Sequence, residues 1–274
     1  LNSDSRLKTP LKMMDNELVE IEIQDIYSEL TEFIKDRQTK VNFLLGSNLT
    51  NEDYVAFREF SKTISQSESS FYLNDDLLYK GFFGDNIELA KINDLNSSDA
   101  IVVWAEDLKE KLPVLYLRIR QAVKNGVKLV VFGHTNETLS DIADVFYGKD
   151  MVSENFEILK DLSKMKEINN LVVGKNITAI LGKSTPYQAD ESITKLFEFL
   201  NSNANSKVLN AYSKGNTYGA FQTLENLKGL NDFVNDISKD NTDLLFIVGA
   251  DPIGRSVYSN QIKSIIKSID TVVT

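Results

Sequence analysis

The sequence predicts an α/β fold: two Rossmann-like units, mostly parallel sheets flanked by helices. Three observations predict it. Short apolar runs recur at Val41–Leu45, Ala100–Trp104 and Asp243–Val248, with little polar alternation, as strands buried on both faces require. Segments between them space their apolar residues three and four apart, the helical period. From Asp99 to Thr138 the chain reads strand, loop, helix, strand, which is a right-handed βαβ crossover.

Taken in order, the residues around Pro10 form an extended lead-in, and the short alternating run after it suggests a small hairpin. From Asp25 to Asp36, Ile26, Leu30, Phe33 and Ile34 follow helical spacing. Val41–Gly46 is a buried strand ending on glycine. Thr50 then caps a helix with acid in its first turn, and Tyr54, Val55, Phe57 and Phe60 form its inner face. Ser65–Ser70 is a polar seam and a plausible crossover between subdomains. Ala100–Trp104 is a strand, and Pro113–Lys124 a helix with proline in its first turn and Asn125-Gly126 at its end. Val127–Phe132 is the next strand. Thr178–Leu181 and Lys207–Asn210 are strands too, with a helix over Asp190–Leu200 between them. Asp243–Val248 closes on Gly249-Ala250-Asp251-Pro252, and the helix Gln261–Ser268 leads into a last strand at Thr271–Thr274. A strand that starts where the sequence stops, and Leu rather than Met at position 1, suggest a piece of a longer polypeptide.

Composition removes several chemistries. The chain of 274 residues has no cysteine and a single histidine, His134. Disulfides, thiolate catalysis, iron–sulfur ligation and most zinc sites are therefore excluded from it, and Ser-His-Asp or multi-His sites have too few histidines. A formal charge of −10 argues against nucleic acid and against adhesion to anionic lipid. No apolar run approaches the roughly 20 residues that cross a bilayer.

Gly182-Lys183-Ser184 follows a strand as a phosphate loop does, but that loop needs a glycine where Ile177 stands, so a strand-exit turn is the better reading. His134 lies past a strand's carboxyl end, where α/β sheets place ligands, but has no visible partner and reads as a polar surface residue. Glu106, Asp107 and Glu110 could hold Mg²⁺, yet Lys109 and Lys111 interleave them, as in a solvated loop. At Gly249–Pro252 the glycine would let backbone approach a ligand, while Asp-Pro fixes a sharp turn; ligand binding and turn-making are equally open there.

In this order the pieces resemble the molybdopterin oxidoreductase family. Ser5–Met13 is similar to the Arg-Leu…Pro-Leu-Lys-Arg stretch that follows that family's iron–sulfur module. Val41–Phe60 is similar to its strand, glycine and Thr-Asn-Glu helix, and Asp99–Gly133 to the strand–helix–strand of its nucleotide-holding core. Ile142-Ala143-Asp144 and Leu244–Pro252 are similar to the pieces that come next. Within the family the residues look most like the G subunit of respiratory complex I, the bacterial NADH:quinone oxidoreductase.

That resemblance implies a discontinuous domain of residues 1–70 plus 170–274, with residues 71–169 inserted as a second Rossmann-like domain. It places Ser70–Leu78, which has no cysteine, where catalytic relatives carry the cysteine, selenocysteine or serine that ligates metal, with Ser69 and Ser70 as the nearby serines. It also shows departures. The family's Gly-x-Asn is Trp104-Ala105-Glu106 here, and its Asp-Pro-Arg is Gly133-His134-Thr135, whereas Gly249 and Asp251 keep the pattern. An indole would fill the space glycine leaves open, and Glu106 would repel a pyrophosphate. The expectation is a vestigial pocket at Trp104, Glu106, Gly133, His134, Gly249 and Asp251, with no catalytic or metal-ligating residue. The chain would be a cofactor-free structural and docking region, with iron–sulfur clusters in an N-terminal part outside it. It would be cytoplasmic, peripheral to the inner face of the cell membrane, and docked on other peripheral-arm subunits of complex I. The alternative is an active subunit of formate dehydrogenase or nitrate reductase type, holding molybdopterin guanine dinucleotide through Gly249, Asp251 and a serine near Ser69.

Overall fold

A computed structural model of the chain describes residues 7–35, 39–64, 69–74, 88–105, 107–132, 137–147, 166–182, 198–202, 204–212, 214–237, 242–254, 256 and 258–274. These residues form two compact units. The first is Leu1–Asn74 with Gly219–Thr274, the second Asp75–Tyr218. The fold is α/β, with two parallel sheets and helices on both faces of each.

The first unit opens with an antiparallel hairpin, β1 (Leu11–Met14) and β2 (Glu17–Glu20), turned at Asp15 and Asn16, both with positive φ. Helix α1 (Ile23–Lys35) follows, two residues earlier than its apolar spacing begins. Its spacing suggests a core face, yet none of its residues is buried. The main sheet has the order β11 (Thr271–Val273), β10 (Leu244–Val248), β3 (Val41–Leu45), β4 (Ser70–Leu73), all parallel. Every residue of β3 is buried, as expected of a central strand in a doubly covered sheet. Ser70, expected in a connecting seam, begins β4 instead, because its N–H and the residues after it pair onto β3.

Phe43 is the centre of one face. Cross-strand neighbours Phe71 and Phe246 stack on it at 5.0 and 5.3 Å between ring centroids, and Phe57 and Phe60 of α2 (Asn51–Ile64) close over it. Val55, expected on the inner face of α2, points to solvent, since it sits one residue past buried Tyr54 on the turn facing away. The opposite face of the sheet (Leu44, Tyr72, Leu245, Ile247) packs on α6 (Leu230–Ile237) and α7 (Ser259–Ser268).

The second unit has five parallel strands in the order β7 (Val145–Tyr147), β6 (Lys128–Phe132), β5 (Ala100–Trp104), β8 (Asn176–Gly182), β9 (Asn205–Ala211). Residues 176–211, expected in the discontinuous domain, lie in this unit because β8 pairs along the whole of β5. The β5–β6 crossover runs through α3 (Leu108–Lys111) and α4 (Pro113–Lys124), the latter with Pro113 in its first turn and Gly126 past its end at φ +100°. Leu115, Tyr116, Ile119 and Ala122 of α4 bury one sheet face; α5 (Lys166–Val172), through Ile168 and Val172, covers the other. Asp144 ties β7 to β6: its carboxylate accepts from the Leu129 N–H at 2.9 Å and from Lys128 Nζ at 2.8 Å.

Candidate functional site at the strand tips

In an open parallel sheet, ligands bind at the carboxyl ends of strands where the strand order reverses, because the crossovers diverge there to opposite faces. In the first unit that reversal lies between β3 and β10. Gly46 follows β3 and Gly249 follows β10. The Gly46 N–H donates to Val248 O at 2.8 Å. A Cβ on Gly46 would lie 1.8 Å from Gly249 O, so only glycine allows this approach. Gly249 has φ +60°, and its own Cβ would meet Leu49 at 2.8 Å. Beyond Gly46, at the entrance to α2, the Ser47 hydroxyl is buried and makes no hydrogen bond among the described residues. Thr50 and Asp53 cap that helix reciprocally: Thr50 N donates to Asp53 Oδ2 at 2.9 Å, and Asp53 N to Thr50 Oγ1 at 3.2 Å. Tyr54 donates its hydroxyl to Gly46 O at 2.8 Å. Burial, then the Asp53 charge, pushes that phenol up to about 12.

Asp251 is exposed, and its Oδ1 accepts from Gly254 N at 2.8 Å and Ile253 N at 3.3 Å. One of its oxygens is thus engaged in its own turn, while a Cβ on Gly254 would collide with the other.

In the second unit the reversal lies between β5 and β8, at Trp104-Ala105 and Gly182. Trp104 is 6% exposed, and its indole stacks on Phe132 of β6 at 5.3 Å. Phe132 stacks in turn on Tyr147 of β7 at 5.2 Å. Register sets this row, since Trp104 pairs with Phe132 and Phe132 with Tyr147, and paired residues of parallel strands share a face. The Trp104 Nε1–H is buried without a partner among the described residues. Burial, then Glu167, pushes the Tyr147 phenol upward. Ala105 is buried, and a Cβ on Gly182 would lie 2.9 Å from Ala105 Cβ and 2.9 Å from Ala211 O. Gly182, expected in a strand-exit turn, is the last residue of β8.

Gly249 and Asp251 belong to the first unit and Trp104 to the second. Glu106, Gly133 and His134 lie outside the described residues, as do Lys183 and Ser184. Asp107 caps α3 by accepting from Lys109 N at 2.9 Å, and no group of three metal-binding side chains occurs among the described residues. Ser69 and Ser70 sit at the amino end of β4, the end opposite to the tips. Sequence reasoning missed Gly46 and Ser47 because only the β3–β10 pairing brings them beside Gly249. It also missed β7. The visible signal was that Trp104, Phe132 and Tyr147 each end a short apolar run.

No helix among the described residues is long and apolar enough to cross a membrane. The sequence profile of the molybdopterin oxidoreductase family matches residues 6–274. The chain is 25% identical over 183 residues to the F420-dependent formate dehydrogenase 1 subunit alpha of Methanococcus maripaludis, covering 63% of this chain and 26% of that protein. It is 21% identical over 152 residues to the F420-dependent formate dehydrogenase subunit alpha of Methanocaldococcus jannaschii, covering 53% of this chain and 23% of that protein. The chain therefore spans about a quarter of the length of these curated relatives.

Proposed function

The chain belongs to the molybdopterin oxidoreductase family, and from that premise we propose that it forms part of the cofactor-holding core of a molybdopterin-dependent oxidoreductase subunit of the formate dehydrogenase kind. The two formate dehydrogenase alpha subunits that it resembles support this over the complex I relationship expected from the sequence. The observation that carries it is the first unit's tip. Gly46 and Gly249 bring backbone close at the point of reversal, and the buried Ser47 hydroxyl has no partner among the described residues. A buried hydroxyl left unpaired is costly, and a polar ligand group would satisfy it.

The residues of that tip fit the anionic pyrophosphate of a pterin dinucleotide. Ser47 Oγ and the backbone N–H groups of Ser47, Gly249 and Ala250 would hold it, and Asp251 would accept from an N–H edge with the oxygen that its turn does not use. When bound, the group supplies a molybdenum centre able to take two electrons from a small anion such as formate. This chain's own part is to bind and orient. The capped start of α2 keeps the Ser47 loop in place, and Tyr54 holds Gly46 O.

A second reading is favoured by the second unit's tip. There the Trp104–Phe132–Tyr147 row fills the tip with stacked aromatic rings, Trp104 and Phe132 both buried. Under it, the chain is a cofactor-free docking region like that of the complex I G subunit, at the inner face of the cell membrane. Molybdenum and pterin content of the purified full-length polypeptide separates the two. Stoichiometric amounts of both, lowered in Ser47→Ala, are expected for the first reading; their absence from protein made in molybdenum-replete cells selects the second.

A further inference from the structure

Each unit has one reversal of strand order, and by topology each reversal could receive a phosphate-bearing ligand. In the second unit the protein's own groups stand at the positions that such a ligand needs. Close backbone approach is the first requirement. Ala105 follows β5 and is buried, and Gly182 ends β8. A Cβ on Gly182 would lie 2.9 Å from Ala105 Cβ and 2.9 Å from Ala211 O, so the ends of β5, β8 and β9 sit against one another. On one face of these ends, the Trp104 indole lies between its register neighbours Phe132 and Leu181 in the apolar core.

Free N–H groups at the start of a helix are the second requirement, because they and the helix dipole hold the phosphate. The helix after β5 is the single turn α3, and Asp107 caps it by accepting from Lys109 N at 2.9 Å. That carboxylate stands where a phosphate would and repels one. Helix α4 then opens on Pro113, which has no N–H to donate. The Trp104 Nε1–H has no partner among the described residues, but it is a lone neutral donor in an aromatic stack. A desolvated pyrophosphate needs several donors or a cation.

The first unit differs at each point, with Gly46 and Gly249 at its tips and the buried Ser47 hydroxyl beside them. We propose that the chain is a single-ended site. The first tip takes a phosphate-bearing ligand, whereas Trp104, Ala105 and Asp107 keep the second tip closed to one. This rests on the first tip's role as a pterin dinucleotide site, and it departs both from a chain using two tips and from a chain using none.

The test labels the full-length protein with 5-fluorotryptophan and assigns the Trp104 fluorine resonance with Trp104→Phe, which keeps a ring in the stack. Protein from molybdenum-replete cells is compared with protein from cells that cannot make the pterin. The first is expected to contain pterin and nucleotide, less of both in Ser47→Ala, with the Trp104 resonance unmoved between the two preparations. A resonance that moves on loading by more than its linewidth overturns the closed second tip and leaves the first tip's role intact. Absence of pterin and nucleotide, or a content that Ser47→Ala leaves unchanged, overturns the first tip's role and this inference with it.

Discussion

The two units meet the same topological problem, a gap between crossovers at the reversal of strand order, and meet it in opposite ways. In the first unit, Gly46 and Gly249 remove side chains, bring backbone together and leave a buried hydroxyl beside it. In the second, Trp104 adds the largest side chain available and extends it into a row across three strands. The difference teaches that a parallel sheet does not make a binding site by topology alone; the residue at the tip decides whether the gap is polar or hydrocarbon. That residue is under separate control in each unit.

The comparison breaks most easily at Trp104. If the row is core, Trp104→Ala should cost about 3–5 kcal/mol on denaturant unfolding followed by circular dichroism. A near-zero loss would mean that the indole contributes no packing, and the contrast between the tips would collapse. Gly46→Ala comes next. Its Cβ would sit 1.8 Å from Gly249 O, so about 3 kcal/mol, the upper end of overpacking, is expected in the same measurement. A neutral effect would show that the first tip is loose.

Ser47→Ala sharpens the contrast with the opposite sign. It removes a buried hydroxyl that has no partner, so the cofactor-free protein should become more stable by up to about 1 kcal/mol. A loss of stability would indicate that the hydroxyl is already satisfied.

The smallest effects are titrations, one in each unit. Tyr54 has its phenol raised to about 12 by burial and by Asp53, against about 10 unfolded. The folded state therefore holds that proton more tightly. The contribution is full below pH 10 and is lost as pH rises through 12, so Tyr54→Phe should flatten stability in that window. Asp144 runs the other way. Burial pushes its carboxyl up, but the hydrogen bonds from Lys128 and the Leu129 N–H outweigh this and hold it below the ordinary aspartate range. Its contribution is present above the unfolded value and lost as pH falls through the folded one. Asp144→Asn should make the acid limb shallower. Stability curves against pH for both variants check the pair.

Much of the fold was legible because strands buried on both faces show as unbroken apolar runs. Ala100–Trp104 and Pro113–Lys124 have the expected bounds, and Val41–Leu45 is buried throughout. What the runs do not carry is which strand lies beside which. That hid the pairing of β8 with β5, and so the extent of the second unit. For the same reason Gly46 and Gly249, some two hundred residues apart, could be read only one at a time. Helical spacing in α1 was legible too, but periodicity records a face that wants cover, not the cover itself.

Trp104 is the only tryptophan in the chain. Its burial against Phe132 therefore equips the protein with a single optical gauge, placed in the second unit alone. Emission excited selectively at the indole reads one address in the molecule. A ligand or variant whose effect stays within the first unit should leave that emission unchanged.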